Sequence, residues 1–418
     1  MYFRTFKVIS LIFSFSVLSV SAQDTLKIDI RQADSLFLKK NFYLLASSMN
    51  IEAQKAQIIQ AKIYPNPIFT ADLNAYDPDN NRVFHVGRTG EKGFQLEQLI
   101  LLGGKRKSEI DIAKTNAKIA ELEFQQLFRQ LKFRLHTDLF SIGQQEFLLQ
   151  KYNGQLDLLS TLLTTYQSQA DKGNIPLKDV VRLKGAYLKL NNDRAELLKD
   201  YFATRNSLQT LLQTSSIIEF QFSEDEVEKY IRVKTLDDIQ NEALQNRPDL
   251  LIIQQNKTLA EQYLQYQKRL AVPDINLITS YDQVGGAFSN QLNVGFSMPL
   301  PLWNRNQGNI KTSQFRIKEA EYNLQAVLTD ISSSIQSAFA LYTQTVSEYQ
   351  KSKALYNQDF ETTVKGMTEN FQKRNVSIVE FIDFFEAYNG VLTELTRIKT
   401  QLITSGEQIN LLTGKEIY

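Results

Sequence analysis

The segment Tyr64-Pro65-Asn66-Pro67 begins a pattern that this chain of 418 residues contains twice. It leads through two short segments of alternating polarity into a helical run from Gly104. Val272-Pro273-Asp274 later leads through two more such segments into a helical run from Asn306. In both halves the predicted order is helix, strand, strand, very long helix, helix. This duplication predicts two structural repeats of one design.

The repeats divide the chain. We expect a signal peptide at 1–22, a first repeat at 23–213, an insertion at 214–246 and a second repeat at 247–418. The predicted strands lie at about 66–76, 93–101, 274–282 and 291–301. The predicted long helical hairpins lie at 104–213 and 306–414. The insertion matches neither repeat, and we expect it to form an equatorial collar around the middle of the helices.

The N-terminus has the pattern of a secretory signal peptide. Arg4 and Lys7 precede an apolar run that is too short to span a bilayer comfortably as a helix, and Ser21-Ala22 completes a small-residue cleavage site. The sequence has no cysteine, so it offers no lipid-attachment cysteine, no disulfide and no thiolate metal ligand. We therefore expect an exported protein.

Charge and hydropathy exclude two further classes. The 47 Lys and Arg residues nearly cancel the 46 Asp and Glu residues, which argues against nucleic-acid binding as the main task. After the signal, no segment approaches the roughly 18 consecutive apolar residues of a membrane helix. If the exported chain enters a membrane, it must do so through strands.

Four segments alternate with a period of two, as strands with one apolar and one polar face do. The apolar positions are Phe69, Ala71, Leu73 and Ala75; Phe94, Leu96 and Ile100; Ile275, Leu277 and Tyr281; and Leu292, Val294, Phe296, Met298 and Leu300. The polar positions include Asp72, Asn74, Glu97, Asn276 and Asn293, which we predict to face a lumen. A soluble sheet gives the same alternation, but these two hairpins are flanked by very long helices and have little to pack on. Each segment also has about the 9–11 residues of a membrane-spanning strand.

Four strands cannot close a barrel, because even small bacterial barrels use about eight. An open strand edge in lipid would leave backbone groups unpaired at several kcal/mol each. Several chains must therefore contribute strands to one barrel. A homotrimer with twelve strands, joined head to tail, is the simplest closure with a usable lumen.

The helices after the strands are too long for a compact domain. The run from about Lys105 to Ala170 has no proline, and at 1.5 Å per residue it extends on the order of 100 Å. Apolar or small residues recur in a 3-4 rhythm that is typical of packed, near-parallel helices. They are Ile110, Ala113, Ala117, Ala120, Phe124, Leu127 and Leu131, and then Ile317, Ala320, Leu324, Val327, Ile331, Ala338 and Leu341. A coiled-coil scaffold would share this seam.

Each long helix ends at a turn of matched design. Gly173 suits the end of one helix and Pro176 the first turn of the next. In the second repeat, Ser377 followed by Glu380 fits a capping box. Two helical hairpins are therefore predicted to extend the same way from one sheet.

At this point the chain resembles the TolC-like outer-membrane efflux factors over nearly its whole mature length. The segments that carry the resemblance are Tyr64 to Pro67, Gln95 to Gln98, Leu102 to Arg106, Asn246 to Leu250, and Met298 to Ile310. The Gly-Gly-Lys-Arg turn and the Pro-Leu-Pro-Leu-Trp-Asn-Arg-Asn-Gln-Gly run are most similar to the heavy-metal cation branch, the CzcC- and CusC-like proteins. The resemblance implies a mainly α fold with a transmembrane β portion, in which a trimeric twelve-strand barrel continues as an α-helical barrel.

The resemblance also implies partners and sites. The periplasmic end would dock onto a membrane-fusion adaptor and an inner-membrane RND-type pump. The entrance would be constricted near Glu380 and Asp383, with Asp179 as the first-repeat counterpart of Glu380. Phe371 stands where the family's gate has a hydroxyl-bearing aromatic residue, and Arg374 is a possible replacement for its basic residue. The expected docking tips comprise Lys172, Gly173, Asn174, Lys373, Asn375 and Ser377. A solvated helix surface would have the same composition.

No catalytic set, cofactor motif or metal-ligand spacing occurs. Of the two histidines, we expect His85 to be a solvated residue of the loop between the first two strands and His136 to make a polar contact between helices. Gly103-Gly104-Lys105 lacks the spacing of a phosphate loop. The resemblance, together with the lack of these motifs, implies a passive exit duct without a cofactor, in the outer membrane, for heavy-metal cations. A duct for drugs or proteins remains an alternative, as does a periplasmic scaffold.

Overall fold

The computed structural model describes residues 25–232, 234–285, 287–356 and 359–418; the predicted signal peptide at 1–22 lies outside them. The helices are α1 (Ile30–Lys40), α2 (Phe42–Lys62), α3 (Lys105–Asp171), α4 (Leu177–Leu212), α5 (Glu224–Glu228), α6 (Leu236–Asn246), α7 (Pro248–Leu270), α8 (Gln307–Leu355), α9 (Asp359–Gln372) and α10 (Ile378–Thr413). The strands are β1 (Thr25–Ile28), β2 (Ile68–Leu73), β3 (Tyr76–Asp77), β4 (Arg82–Val83), β5 (Glu91–Ile100), β6 (Ile217–Phe220), β7 (Ile275–Val284) and β8 (Phe288–Ser297). Among the described helices, none is both long and apolar enough to cross a membrane.

The four long strands form one sheet, and the four helices joined to them form a wall of helices that pack in the same order as the strands. The strands pair antiparallel in the order β2-β5-β7-β8. Along the chain α2 leads into β2, β5 into α3, α7 into β7, and β8 into α8. The helices pack in the corresponding order, α2 on α3, α3 on α7, and α7 on α8. One open edge therefore runs along β2 and α2, and the other along β8 and α8.

The register brings the apolar positions of all four strands onto one face. Phe69 lies opposite Leu96 and Ala71 opposite Phe94, while Phe94 is also opposite Tyr281. The rings of Phe69 and Phe94 stack at 6.2 Å between centroids, and those of Phe94 and Tyr281 at the same distance. This confirms that the period-two alternation marks one apolar and one polar sheet face.

Two strand boundaries differ from the prediction. β2 ends at Leu73 instead of continuing to position 76, because Tyr76 pairs with Val83 in the small β3–β4 hairpin. β8 ends at Ser297 instead of 301, where Pro299 and Pro301 have no N–H group to donate to a ladder. The β3–β4 pairing therefore ends β2, and the two prolines end β8.

Left-handed backbone residues make the strand-to-helix junctions. Gly103 and Gly104 have φ of 67° and 74° before α3, and Asn306 has φ of 61° before α8. A Cβ atom on Gly103 would lie 2.9 Å from Val272, so this glycine is needed for close approach as well as for its backbone angle. Arg269 of α7 donates to the Gly104 carbonyl oxygen at 2.7 Å and fixes the junction.

Far from the sheet, the helices form two hairpins that pack side by side. α3 packs on α4, and α10 packs on both α3 and α8. A second core lies between the hairpins; it includes Leu159, Leu183, Phe381 and Leu392. The second hairpin does not begin with one unbroken long helix, because α8 ends at Leu355 and Tyr356 takes an extended conformation before α9.

The insertion predicted at 214–246 contributes β6, α5, a 3-10 turn at Lys229–Ile231 and α6. β6 pairs in parallel with β1, so the first described strand is joined to the insertion. Ile218 and Tyr230 are fully buried in the main core with α3, α8 and α10. The insertion is thus packed onto the middle of the helices.

A buried polar network joins this region together. His136 of α3 bonds Asp34 of α1 at 2.9 Å through Nε2 and Glu407 of α10 at 3.0 Å through Nδ1. The Tyr230 hydroxyl also donates to Glu407, and Lys132 pairs with Asp34 at 3.3 Å. The prediction of a polar interhelical contact at His136 is confirmed.

The charges of this network are coupled to folding. Burial opposes the imidazolium, but hydrogen bonds to Asp34 and Glu407 outweigh burial and raise the pKa of His136 to about 9. Burial would raise the pKa values of Asp34 and Glu407, yet the bonds to His136 outweigh it and lower both. The folded state therefore favours one cation between two carboxylates.

We predict that stability falls as the pH rises from about 6.5, the ordinary histidine pKa, through about 9, because the unfolded chain releases the His136 proton first. The two carboxylates contribute above their ordinary pKa values, and that contribution is lost as the pH falls. Thermal unfolding in detergent should show an alkaline loss of at most roughly 1.4 kcal/mol per pH unit from this group. His136→Gln should remove the slope and His85→Gln should keep it; an equal slope in His136→Gln would contradict the assignment.

Candidate functional site

The polar face of the sheet carries most of the residues predicted to face a lumen. By the strand register Asp72, Glu97, Asn276 and Asn293 point to the same side, opposite the aromatic stack. Asn74 follows the end of β2, and its backbone N–H donates to Glu91 at 3.3 Å. A surface of carboxylates and amides is therefore continuous across the four strands.

Asp282 is a member of this face that the predicted site omitted. It lies in one register row with Asp72, Gly93 and Gln291. Its carboxylate accepts from Asn293 at 3.0 Å, and a Cβ atom on Gly93 would lie 3.3 Å from it. The same alternation that selected Asn276 places position 282 on the polar side, so the signal was present in the sequence.

His85 is not the solvated loop residue that we expected. It is buried, and its Nδ1 bonds Asp77 at 2.6 Å while its Nε2 bonds Thr89 at 3.0 Å. A Cβ atom on Gly285 would clash with the Thr89 backbone, so the turn between β7 and β8 lies directly on this loop. The expectation was wrong because the loop folds back on itself, so that Asp77 and Thr89 bond both ring nitrogens of His85.

The two helical tips have the same turn. Gly173 has φ of 77°, and the N–H groups of Gly173 and Asn174 donate to the carbonyl oxygens of Ala170 and Gln169 at 2.9 Å each. These two bonds form the Schellman arrangement that ends a helix, as predicted for Gly173. The Asn174 side chain also donates to Gln169 at 2.9 Å.

At the second tip Arg374 takes the place of the glycine. Its φ is 64°, its N–H donates to Phe371 at 3.0 Å, and the N–H of Asn375 donates to Asn370 at 2.9 Å. The Asn375 side chain repeats the contact of Asn174, with 3.2 Å to Asn370. An arginine in the left-handed region is disfavoured by its Cβ atom, so this position is strained where the first tip is not.

An aromatic stack joins the tips to each other. Phe371 is fully buried, and its ring lies 4.1 Å from that of Phe381 and 5.6 Å from that of Tyr166, centroid to centroid. Tyr166 belongs to the first hairpin and Phe381 to the second. Phe371 therefore packs inside the protomer, between the two hairpins.

The carboxylates near the tips have different surroundings. Ser377 and Glu380 form the predicted capping box, in which Glu380 accepts from the Ser377 backbone at 2.9 Å and Ser377 accepts from the Glu380 N–H at 3.3 Å. Hydrogen bonds from Ser377 lower the pKa of Glu380. Asp383 is exposed one turn further along α10, and Asp179 lies partly exposed in the first turn of α4. Lys172 and Lys373 are exposed at the two tips.

Within the described ranges, no group of three or more His, Asp or Glu side chains is arranged to hold a metal ion. The polar groups at both ends of the molecule lie on extended surfaces instead of converging on one point.

The tips give a matched pair of stability predictions. Gly173→Ala should destabilise the protein by about 1 kcal/mol, because alanine in the left-handed region clashes through its Cβ atom. Arg374→Gly should stabilise it by up to about 1 kcal/mol, since glycine adopts this backbone without strain. Thermal unfolding of both variants checks the signs. Loss of stability in Arg374→Gly would mean that the arginine side chain contributes more than its backbone strain costs.

Known proteins share both the sequence pattern and the fold. A family model described as outer membrane efflux protein matches residues 239–364. The cobalt-zinc-cadmium resistance protein CzcC of Cupriavidus metallidurans is 21% identical over 282 residues, which are 67% of this chain. The match spans 65% of the length of that relative.

Solved structures of membrane channels match nearly the whole chain. CusC, whose structures concern folding and transmembrane channel formation, superposes with a TM-score of 0.74 at 15% identity and covers 92% of both chains. The Campylobacter jejuni CmeC outer membrane channel superposes with a TM-score of 0.71 at 15% identity, covering 93% of this chain and 87% of that one. The resemblance found in the sequence is confirmed: the chain is similar to outer membrane efflux proteins, and a cobalt-zinc-cadmium resistance protein is among its relatives.

Proposed function

We propose that this protein is the passive exit duct of a tripartite efflux system, formed by three copies in the outer membrane. The observation that carries the proposal is the common order of strands and helices, in which β2 with α2 stands at one end and β8 with the first part of α8 at the other. An arc with two complementary edges suits a ring closed by heterologous contacts.

The strand edges require closure. Among the described residues, β2 and β8 each have a neighbouring strand on one side only, so the other row of backbone N–H and C=O groups of each strand has no strand partner. In lipid each such group costs several kcal/mol, whereas pairing β8 of one copy with β2 of the next satisfies both rows. Three copies give twelve strands, a number within the range of outer-membrane barrels.

The helix edges support the same contact. Phe42 and Tyr43 at the start of α2 are exposed, as are Phe315 and Tyr322 on α8. Large apolar side chains at both edges of the helical wall favour burial against a neighbouring copy. Twelve wall helices would then continue the barrel as a tube into the periplasm, with residues 214–246 as its collar.

The two sheet faces have the chemistry of lipid and water. The apolar face, with its stack of Phe69, Phe94 and Tyr281, suits hydrocarbon. The polar face would line the lumen, where trimerisation repeats each carboxylate three times. Asp72 and Asp282 share one row, so cations would be favoured there over anions.

We place the entrance and the adaptor contact at the tips. Glu380, Asp383 and Asp179 would tune ion passage, with Arg374 beside them and Phe371 as a packing residue behind them. The surfaces around Gly173 and Arg374 would meet a periplasmic adaptor that links the duct to an inner-membrane RND-type pump. The strained backbone of Arg374 supports a functional role, because strain is retained mostly where a site needs it.

We propose heavy-metal cations as the substrate class. Support comes from the similarity to CzcC, a cobalt-zinc-cadmium resistance protein, and from the acidic polar face. Since the duct is passive, the pump would select the substrate. A duct for drugs would have the same architecture, and deletion of the gene separates the two substrate classes.

Neutralising the tip carboxylates tests the entrance. Glu380→Gln keeps an acceptor for the Ser377 N–H, so the double variant Glu380→Gln/Asp383→Asn removes charge without removing the cap. In planar bilayers it should show a lower cation-to-anion permeability ratio than the native channel. Glu319→Gln, an exposed carboxylate near the strand end of α8, serves as the control. Unchanged conductance and selectivity would remove Glu380 and Asp383 from the entrance.

Deletion of the gene tests the substrate class. The strain should become sensitive to some of Zn, Co, Cd, Ni, Cu and Ag ions while its tolerance of detergents, dyes and antibiotics stays normal. Complementation with the native gene should restore tolerance. Sensitivity to organic compounds with normal metal tolerance would keep the duct and overturn the metal assignment.

A further inference from the structure

A long groove follows α10 between the two helical hairpins. Its part nearer the sheet has a volume of about 690 Å³ and is lined mainly by leucine and threonine side chains. Its part nearer the tips has a volume of about 480 Å³. Leu148, Leu197, Asp200 and Thr393 line both parts, so the groove is continuous. Both volumes fall within the roughly 300–1,000 Å³ that is typical of small-molecule sites.

This hairpin groove and the collar lie on opposite faces of α10. Lys399 points to the collar, where it pairs with Glu224 at 3.0 Å. At 3.6 residues per turn, the groove residues Arg397, Thr404 and Gln408 fall on the other side of the helix. In the proposed tube the collar surrounds the outside, so the hairpin groove faces the lumen.

The part nearer the sheet has an apolar surface. Leu148 and Leu197 line it from the first hairpin, and Leu341 of α8, which is 52% exposed, lines it from the second. The hydroxyl groups of Thr396 and Thr400 each donate to a carbonyl oxygen of their own helix at 2.9 Å. These hydroxyl groups are therefore already bonded, which reduces the polarity of the groove surface.

The part nearer the tips carries an excess of negative charge. Two of its five carboxylates belong to ion pairs, Lys189 with Glu386 at 3.2 Å and Arg397 with Glu394 at 2.6 Å. In the portion of the chain that the structure describes, no Lys or Arg side chain pairs with the other three, which are Asp193, Glu196 and Asp200. An apolar surface is thus continuous with carboxylates that have no cation beside them.

We infer that the hairpin groove binds amphipathic organic cations and that the bound compound obstructs the duct. The apolar body would lie along Leu197 and Leu341, where leaving water favours binding. The cationic group would lie against Glu196 and Asp200, which attract it and reject an anion of the same shape. The inference rests on the proposed function, in which the groove faces the lumen.

Block of single channels by an alkylammonium tests the groove. The full-length channel is inserted into planar bilayers, and decyltrimethylammonium is added below its micelle concentration. It should cause reversible interruptions of the current whose frequency rises with concentration. Tetramethylammonium has the charge without the chain, and decyl sulfate has the chain with the opposite charge. Each should block roughly tenfold less at equal concentration, because the groove needs both the chain and the cation.

A pair of matched variants locates the block. Glu196→Gln/Asp200→Asn removes two exposed carboxylates that have no ion pair, so folding and basal conductance should persist. The half-blocking concentration of decyltrimethylammonium should rise roughly fivefold, the effect expected from surface charges. Asp225→Asn/Asp237→Asn removes two exposed carboxylates from the collar and should leave this concentration unchanged.

Three results would overturn the inference and leave the duct intact. The first is normal conductance without block, and the second is equal block by decyl sulfate, because the chain would then act on the bilayer. The third is block that persists in Glu196→Gln/Asp200→Asn but is lost in Glu380→Gln/Asp383→Asn, which would locate the cation at the tips. If the native protein formed no conducting channels, the proposed duct would fail, and the inference would fail with it.

Discussion

Backbone hydrogen bonding at two strand edges is the constraint on which the rest of this structure depends. The antiparallel sheet ends in β2 on one side and in β8 on the other, and hydrocarbon offers no partner for the exposed N–H and C=O groups. Only another strand can satisfy them along their full length. In the proposed function the protomer is one third of a ring, and neighbouring copies cover both strand edges.

The order of the strands also fixes the order of the helices, because each strand is joined to its helix at a tight junction. Each wall strand is continuous with a wall helix, and Gly103, Gly104 and Asn306 adopt left-handed backbones at the junctions. Arg269 bonds Gly104, and buried Lys105 pairs with the partly exposed Asp274 at 2.7 Å; both contacts hold neighbouring helices in the order of the strands. Further from the sheet, His136 between Asp34 and Glu407 joins α3 to α1 and α10, and the Phe371 stack joins the two tips.

Local patterns predicted much of this architecture. Alternation was sufficient for the sheet faces, since a strand places successive side chains on opposite sides. Gly173 and the Ser377–Glu380 pair predicted their helix ends because the turn and cap depend on residues close in sequence. The division of the chain into domains and the roles of the tip carboxylates stay predictions.

Contacts between distant segments account for what the sequence did not reveal. His85 is buried and bonded to Asp77 and Thr89 of its own loop, and the β7–β8 turn packs on that loop. The pairing of β1 with β6 joins positions nearly two hundred residues apart. The left-handed backbone of Arg374 could not be predicted, because arginine rarely adopts it. The turn is recognised only from its hydrogen bonds, which match those of the first tip. The end of α8 at Leu355 has no proline or glycine to mark it.

Cysteine cross-linking across the open edges tests the central claim most directly, since the native chain contains no cysteine. Ala71→Cys on β2 is combined in turn with Leu292→Cys, Val294→Cys and Phe296→Cys on β8, and the protein is oxidised in membranes. At least one pair should give covalent species of two and three chains and nothing larger, while each single cysteine variant stays monomeric on a denaturing gel. Monomers in all three pairs, or a ladder that continues beyond three chains, would contradict a closed ring of three copies.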